Sequence, residues 1–183
     1  MNVDVMAAND VQGPSTELRV VPFAASMRAH FYRLNAQWLE KYFSIEAFDR
    51  RMLNDPETHV LEPGGAIFFA QRGNDVIGTC ALLQESPGVF ELSKMGVDES
   101  FQGQGAGRRL LQAAIAEFHH RQGRELFLES SSRLTTALSM YARAEFVMQP
   151  GTRAGSKYQR ADVYMIYQPA DRTGLNARAA AAG

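Results

Sequence analysis

The chain has 183 residues, of which 45% are hydrophobic and 21% are charged, and its net charge at pH 7 is −1. That length and composition are typical of one globular domain with a substantial core. The near-zero charge excludes a broad basic surface for nucleic acid or an anionic membrane, so we expect partners to be recognised locally, in a pocket.

The single cysteine, Cys80, cannot form an intrachain disulfide, and no Cys/His spacing suggests a zinc site. The first residues lack the basic region and apolar run of a secretory signal. No apolar stretch approaches the ~20 residues that a membrane-spanning helix needs. We therefore expect a cytoplasmic protein without a metal site.

Both ends of the chain carry little that can pack. Residues 1–16 are polar and irregular, and residues 169–183 end in a run of alanines. We predict that both are disordered tails and that residues 17–168 form one domain.

The first part of the domain has a mostly helical pattern. Leu18–Phe23 is a short β-rich run, and apolar residues then recur at helical spacing from Phe31 to Tyr42. Ser44 is the predicted cap of a second, short helix. Asp55-Pro56-Glu57 predicts another helix start, with proline at its first position.

The second part alternates strands and helices. Three predicted strands joined by short turns form an antiparallel meander: Ala66–Gln71, Val76–Gln84 and Val89–Val97. The pattern then predicts a helix over 107–122 that stops at Gly123, a strand over 125–129, a helix over 135–144 and a strand over 163–168. This order predicts an α/β architecture with a mixed sheet.

The segment most informative about chemistry is Gln102-Gly103-Gln104-Gly105-Ala106-Gly107. Here a strand runs into a glycine-rich turn that opens a helix. Such a turn directs unpaired backbone N–H groups and the positive end of the helix dipole into one small space, which suits a pyrophosphate. The glycines at 103, 105 and 107 are expected to let the backbone approach the anion closely.

A glycine-rich turn alone also fits other sites. A P-loop is excluded because no Gly-Lys-Ser/Thr sequence ends the turn. The preceding meander argues against a Rossmann site, in which the turn follows the first strand of a βαβ unit. A turn with glycines only for packing is the remaining alternative.

The segment Gln102–Gly107 resembles the Gln/Arg-x-x-Gly-x-Gly/Ala signature of the GNAT superfamily of N-acetyltransferases. Downstream, Ala137–Phe146 is similar to that family's helix with Ala-x-x-x-Tyr before a Gly-Phe pair. The likeness extends over residues 17–168. It implies an α/β fold in one domain, with a mixed, mostly antiparallel sheet flanked by helices.

Two positions depart from the family pattern. Glu145 replaces the glycine that usually follows the tyrosine helix, so we expect a less sharply turned helix exit. Leu134 replaces an asparagine that often contacts the cofactor. Ser131, Ser132 and Thr135 are the neighbouring residues that can supply that hydrogen bond instead.

The resemblance implies acetyl-coenzyme A (acetyl-CoA) as co-substrate. In that reading, the turn and the start of the next helix hold the pyrophosphate, and the exposed edge of the strand before it pairs with the pantetheine arm. An amide at or near Met95 donates to the thioester oxygen. The cofactor residues implied are Met95, Gly96, Val97, Gln102, Gly103, Gln104, Gly105, Ala106, Gly107 and Arg108, and we expect the side chain of Arg108 or Arg109 to contact a phosphate.

The resemblance also implies catalytic roles. Tyr141 matches the general acid that protonates the departing thiolate. An alkyl amine of pKa ~10 must lose a proton before attack, and Glu91 is the predicted base, with Glu129 on the next strand as its rival. The first helical region, with Asn35, Trp38, Lys41, Tyr42 and Phe43, is the part that shapes the acceptor pocket in this family.

The leading hypothesis is thus an N-acetyltransferase that transfers the acetyl group directly to a primary amine in a ternary complex. The acceptor can be a small-molecule or a protein amine, and the sequence leaves its identity open. One alternative is an acyl-CoA-binding regulatory module without significant turnover. Another is an interaction protein that uses its tails and a sheet edge, and a homodimer is expected only from family habit.

Overall fold

The computed structural model of the chain describes residues 17–170. The strands are Leu18–Pro22 (β1), Ala66–Arg72 (β2), Asp75–Ser86 (β3), Val89–Val97 (β4), Glu125–Ser130 (β5), Phe146–Met148 (β6) and Val163–Tyr167 (β7). The α-helices are Arg28–Tyr42 (α1), Ala47–Asn54 (α2), Ala106–His120 (α3) and Thr135–Arg143 (α4). The predicted N-terminal tail and residues 171–183 of the predicted C-terminal tail lie outside the described residues, so their disorder stays a prediction.

All seven strands form one sheet in the order β1-β2-β3-β4-β5-β7-β6. Neighbouring strands are antiparallel except β4 and β5, which run parallel. The crossover between those two strands is α3, as a parallel connection requires. The predicted meander and the predicted mixed, mostly antiparallel sheet are both confirmed.

Helices cover both faces of the sheet because its central strands are apolar on both sides. In β3, Leu82 packs in a core cluster with Leu110 and Leu111 of α3. Ala81 and Leu83 point to the opposite face and pack with Phe31 of α1. This alternation follows from the two-residue period of a strand. None of the helices within residues 17–170 has the length and apolar character that crossing a membrane requires.

The predicted cap of α2 at Ser44 is wrong. The helix begins two residues later, and Glu46 occupies the cap position in a reciprocal capping box with Asp49. The backbone N–H of Glu46 donates to Asp49 Oδ2 at 3.1 Å. Two polar side chains that satisfy each other's backbone groups stabilise this start better than a lone serine hydroxyl. The helix start predicted around Pro56 corresponds to a short π-helical turn, Glu57–Leu61.

The end of α3 also differs from the expectation. The residue in the left-handed conformation is Gln122, with φ of 55°, and not Gly123. Gly123 is required for a different reason, because a Cβ there would lie 2.1 Å from the ring of Phe118. The glycine therefore allows close packing just after the helix.

The exit from α4 is as sharply turned as a glycine would make it, so the expected loosening at Glu145 is wrong. Glu145 itself adopts the left-handed conformation, with φ of 67°. Its carbonyl accepts a hydrogen bond from the Gln168 N–H at 2.9 Å, which ties the exit to the end of β7. Strand β6, which the sequence pattern did not predict, starts at the next residue and has only three residues.

Candidate functional site

The central parallel pair of strands separates after three residue pairs. Val89, Phe90 and Glu91 of β4 lie opposite the first three residues of β5, Glu125 to Phe127. Beyond Glu91, β4 continues to Val97 and β5 to Ser130 without pairing to each other in the described structure. The two strands diverge there and open a cleft of about 1200 Å³ in the middle of the sheet.

The start of α3 forms one end of the cleft. Gly105 is its cap residue, with φ of 88° and no side-chain cap. The first hydrogen bond of the helix runs from the N–H of Arg109 to the Gly105 carbonyl at 3.1 Å. The backbone N–H groups of residues 106–108 therefore have no acceptor within the helix. With the positive end of the helix dipole, these donors form a site for an anion.

The glycines of the turn act through their conformation. Gly103 and Gly105 both have a positive φ, and a Cβ at either position would meet nothing within 4 Å. The space above the turn is therefore open, as a bound phosphate group requires. Gly107 has ordinary helical geometry, and a Cβ there would lie 3.4 Å from Met140 Sδ.

The structure brings most of the predicted cofactor residues together. Nine of the ten line the cleft, namely Met95, Gly96, Val97, Gln102, Gly103, Gly105, Ala106, Gly107 and Arg108. The tenth, Gln104, is turned away, and its side chain contacts Arg72 and the Ser100 carbonyl. Arg109 points away too, because its guanidinium donates to the Leu18 carbonyl at 2.7 Å.

The replaced asparagine position lies in the cleft wall. Leu134 lines the cleft beside Ser131 and Thr135. The Ser131 hydroxyl accepts the Arg133 N–H at 3.4 Å, whereas the Ser132 hydroxyl is hydrogen-bonded to Asp162 at 2.6 Å. Thr135 is exposed at the start of α4, so which of these hydroxyls replaces the missing amide stays a prediction.

Tyr141 lies in the cleft wall opposite the free edge of β4. Its side chain is only 9% exposed, and its hydroxyl donates to Met95 Sδ at 3.6 Å. Burial raises the pKa of Tyr141 well above 10, so its hydroxyl keeps its proton at neutral pH.

The two candidate carboxylates occupy different places. Glu91 is 2% exposed and does not line the cleft. Burial raises the pKa of Glu91 against the opposing effects of Lys94 and the Tyr158 hydroxyl. Glu129 does line the cleft, and its buried Oε1 has no hydrogen-bond partner among the described residues. Continuing the parallel register from Glu91 and Phe127 places Glu129 across the gap from Ser93.

Aromatic residues at the end of α1 form another wall of the cleft. Trp38, Tyr42 and Phe43 line it, as predicted for the acceptor pocket, and Trp38 packs edge-on against Phe43. Two other predicted residues do not reach the cleft. Asn35 is buried and donates to the Phe31 carbonyl, and Lys41 pairs with Glu99.

Gly96 allows this aromatic wall to approach β4. A Cβ on Gly96 would lie 2.8 Å from Trp38 Cδ1 and 3.0 Å from the Leu34 carbonyl oxygen. No other residue type fits between α1 and β4 without displacing one of them.

A charged cluster beside the cleft was missed by sequence reasoning. It consists of Asp49 on α2, Lys94 on β4, and Tyr158 and Arg160 in the segment 149–162 between β6 and β7. Lys94, Tyr158 and Arg160 line the cleft. The one signal in the sequence was a lysine in the middle of a predicted strand.

Comparisons with known proteins agree with this geometry. The family model described as "Acetyltransferase (GNAT) family" matches residues 29–146. No curated protein sequence matches the chain.

Solved structures with the same fold come from several bacteria. A GNAT-family acetyltransferase from Staphylococcus aureus Mu50 has 17% identity and a TM-score of 0.73, over 82% of this chain and 98% of that one. A Bacillus subtilis acetyltransferase in complex with CoA has 18% identity and a TM-score of 0.63, over 84% and 100%. An Elizabethkingia anophelis GNAT-family acetyltransferase with acetyl-CoA bound has 18% identity and a TM-score of 0.60, over 81% and 94%.

The close approach at Gly96 predicts a stability effect. We expect Gly96→Ala to lower the free energy of unfolding by about 1–3 kcal/mol, because the methyl group overlaps Trp38 and the Leu34 carbonyl. Gly107→Ala is the matched control, and we expect it to leave the stability unchanged or raise it by up to ~1 kcal/mol. Urea unfolding of the three proteins measures this, and equal stability of Gly96→Ala and wild type would contradict the packing described.

Proposed function

Because the chain belongs to the acetyltransferase (GNAT) family, we propose that it is an acetyl-CoA-dependent N-acetyltransferase. It transfers the acetyl group directly to a primary amine while both substrates are bound. The observation that carries this proposal is the shared cleft. An anion site at a helix start, an unpaired strand edge and a buried tyrosine all line it.

The residues present fit coenzyme A. The start of α3 offers backbone N–H groups and open space to a pyrophosphate, and Arg108 lies beside them. The unpaired part of β4 offers N–H and C=O groups to the amides of a pantetheine arm, in the manner of an added strand. The relatives with CoA and acetyl-CoA bound support this assignment.

Tyr141 is the proposed general acid. Acetyl-CoA supplies the acetyl group as a thioester, whose cleavage leaves a thiolate that needs a proton. The Tyr141 hydroxyl is in the cleft wall beside Met95 and stays protonated at neutral pH. It can therefore supply that proton as the thiolate leaves, although its raised pKa makes it a weaker acid than a free phenol.

Glu129 is the carboxylate we propose for the acceptor amine. It lines the cleft, whereas Glu91 does not, so its carboxylate can pair with the incoming ammonium group and take its proton. The sequence-based choice, Glu91, lies behind the cleft surface. It could take part only through Tyr158 or Ser93, whose hydroxyls interact with its carboxyl group.

The acid role predicts the effect of removing one hydroxyl. We expect Tyr141→Phe to lower turnover ~10²-fold or more while acetyl-CoA still binds, because the thiolate then leaves without its proton donor. The assay is thiol release with a panel of small amines and lysine peptides, alongside calorimetric binding. Tyr32→Phe, an exposed tyrosine on α1, is the control. Binding of acetyl-CoA by wild type without turnover on any amine would instead support a regulatory module.

The two carboxylates are distinguished by matched amide variants. We expect Glu129→Gln to lower kcat/KM ~10²–10⁴-fold at neutral pH, with a deficit that narrows as the pH approaches the amine pKa of ~10. At high pH more of the amine is already neutral and needs no base. Glu91→Gln is expected to keep most of the activity. A larger loss in Glu91→Gln than in Glu129→Gln would reverse the assignment.

A further inference from the structure

Lys94 combines two unfavourable features at the edge of the cleft. Its backbone has a positive φ of 51°, which side-chain-bearing residues rarely adopt. Its side chain is charged but only 2% exposed. Both features carry a free-energy cost, so other contacts must hold Lys94 in place.

The positive φ belongs to a bulge in β4. Ser93 lies opposite Ala81 of β3 and Gly96 lies opposite Thr79, so Lys94 and Met95 share the single position opposite Cys80. A bulge of this kind releases backbone groups from the ladder and redirects the strand. Here it falls at the point where the edge of β4 lines the cleft.

The side chain of Lys94 anchors this bulge to α2. Its Nζ donates to Asp49 Oδ1 at 2.7 Å and to the Tyr158 hydroxyl at 3.2 Å. It also lies 5.3 Å from the centre of the Phe48 ring and 4.7 Å from that of Tyr158. Two segments distant along the chain, α2 and residues 149–162, thus contact one ammonium group.

Asp49 is in turn held by a second cation. Arg160 donates to its two carboxylate oxygens at 2.7 and 3.0 Å, and Asp49 has no exposed side-chain surface. Burial opposes ionisation of Asp49, but the hydrogen bonds from Arg160 and the charge of Lys94 outweigh it, and the pKa of Asp49 is lowered. We name Asp49, Lys94 and Arg160 the clamp.

Stability alone is a poor reason for such a cluster. Buried ion pairs contribute little compared with apolar residues of similar volume, since desolvation cancels much of their attraction. The clamp instead provides a defined geometry, because its directional hydrogen bonds fix the position of Lys94 relative to α2. The next residue, Met95, belongs to the same bulge and lines the cleft.

We propose that the clamp is a positioning device for catalysis: it fixes the bulge so that a backbone N–H at Lys94–Met95 hydrogen-bonds the thioester oxygen of acetyl-CoA. This inference rests on the proposed function and deepens it. The clamp side chains act through the backbone of β4 and do not themselves donate to the thioester oxygen. Charge that develops on the oxygen during attack is stabilised by the fixed N–H.

The test is spectroscopic and needs no acceptor amine. Acetyl-CoA labelled with carbon-13 at the thioester carbonyl is bound to wild type, Asp49→Asn, Lys94→Met and the double variant Asp49→Leu/Lys94→Met. A hydrogen bond to the oxygen moves the carbonyl resonance downfield from that of free acetyl-CoA. We expect this displacement in wild type and its loss in all three variants, while CoA binds each with an affinity within about threefold of wild type.

The double variant separates positioning from folding. It replaces two of the three clamp charges with apolar groups and leaves Arg160 its ion pair with Glu46, so we expect its stability to match or exceed that of the single variants. Arg28→Met, which removes an exposed ion pair with Glu57, is the control and should keep the full displacement. The variant Lys94→Arg keeps the positive charge and should therefore keep part of the displacement of the carbonyl resonance.

Each other outcome has a defined meaning. Full displacement in Asp49→Asn, or in the stable double variant, would overturn the positioning role. Loss of CoA binding as well would also overturn it, because the clamp would then support the whole cleft. Binding of acetyl-CoA to wild type without any displacement would refute this inference alone, whereas no binding to wild type would refute the proposed function.

Discussion

The separation of β4 from β5 after Glu91 and Phe127 is the constraint on which the site depends. Adjacent strands normally pair along their common length, since each unpaired and buried N–H or C=O group costs free energy. Here the pairing stops in the middle of a seven-stranded sheet. The cleft therefore has a wall of free backbone groups that a ligand with amides of its own can pair with.

The other parts of the site are arranged around that opening. The start of α3 brings an anion site to one end of it, and Tyr141 of α4 faces the free edge of β4. Trp38 and Glu129 line the same cleft, where we propose that the acceptor amine binds. A chain of nearly neutral net charge can thus bind a polyanionic cofactor, because the positive potential is local to one helix terminus.

The features that sequence reasoning predicted well are local ones. Alternating apolar residues predicted the strands, and the glycines at 103 and 105 predicted the open turn before α3, because glycine adopts a positive φ without strain. The resemblance predicted Tyr141 as a site residue, and the structure places it in the cleft wall, whereas its catalytic role stays a prediction. The cap at Glu46 was missed because Asp49 accepts its backbone N–H only once the helix has formed. Strand β6 was missed because three residues are too few to show an alternating pattern.

The clamp could not be predicted, since its residues are distant along the chain. Lys94 and Asp49 are 45 positions apart, and Asp49 and Arg160 are 111 apart. Only the folded arrangement of α2, β4 and the segment 149–162 brings them together. The same holds for the choice between Glu91 and Glu129: both are acidic residues on strands, and the tertiary structure decides which one reaches the cleft.

The central claim is that the cleft is an acetyl-CoA site, and thermal unfolding with added ligands tests it most directly. Acetyl-CoA at ~100 times its dissociation constant should stabilise the fold by ~2.7 kcal/mol and raise Tm visibly. ATP and NAD, which also carry a pyrophosphate but no pantetheine arm, should raise it far less. A rise with acetyl-CoA alone is the predicted result, and no rise in a folded sample, or an equal rise with all three ligands, would contradict the account.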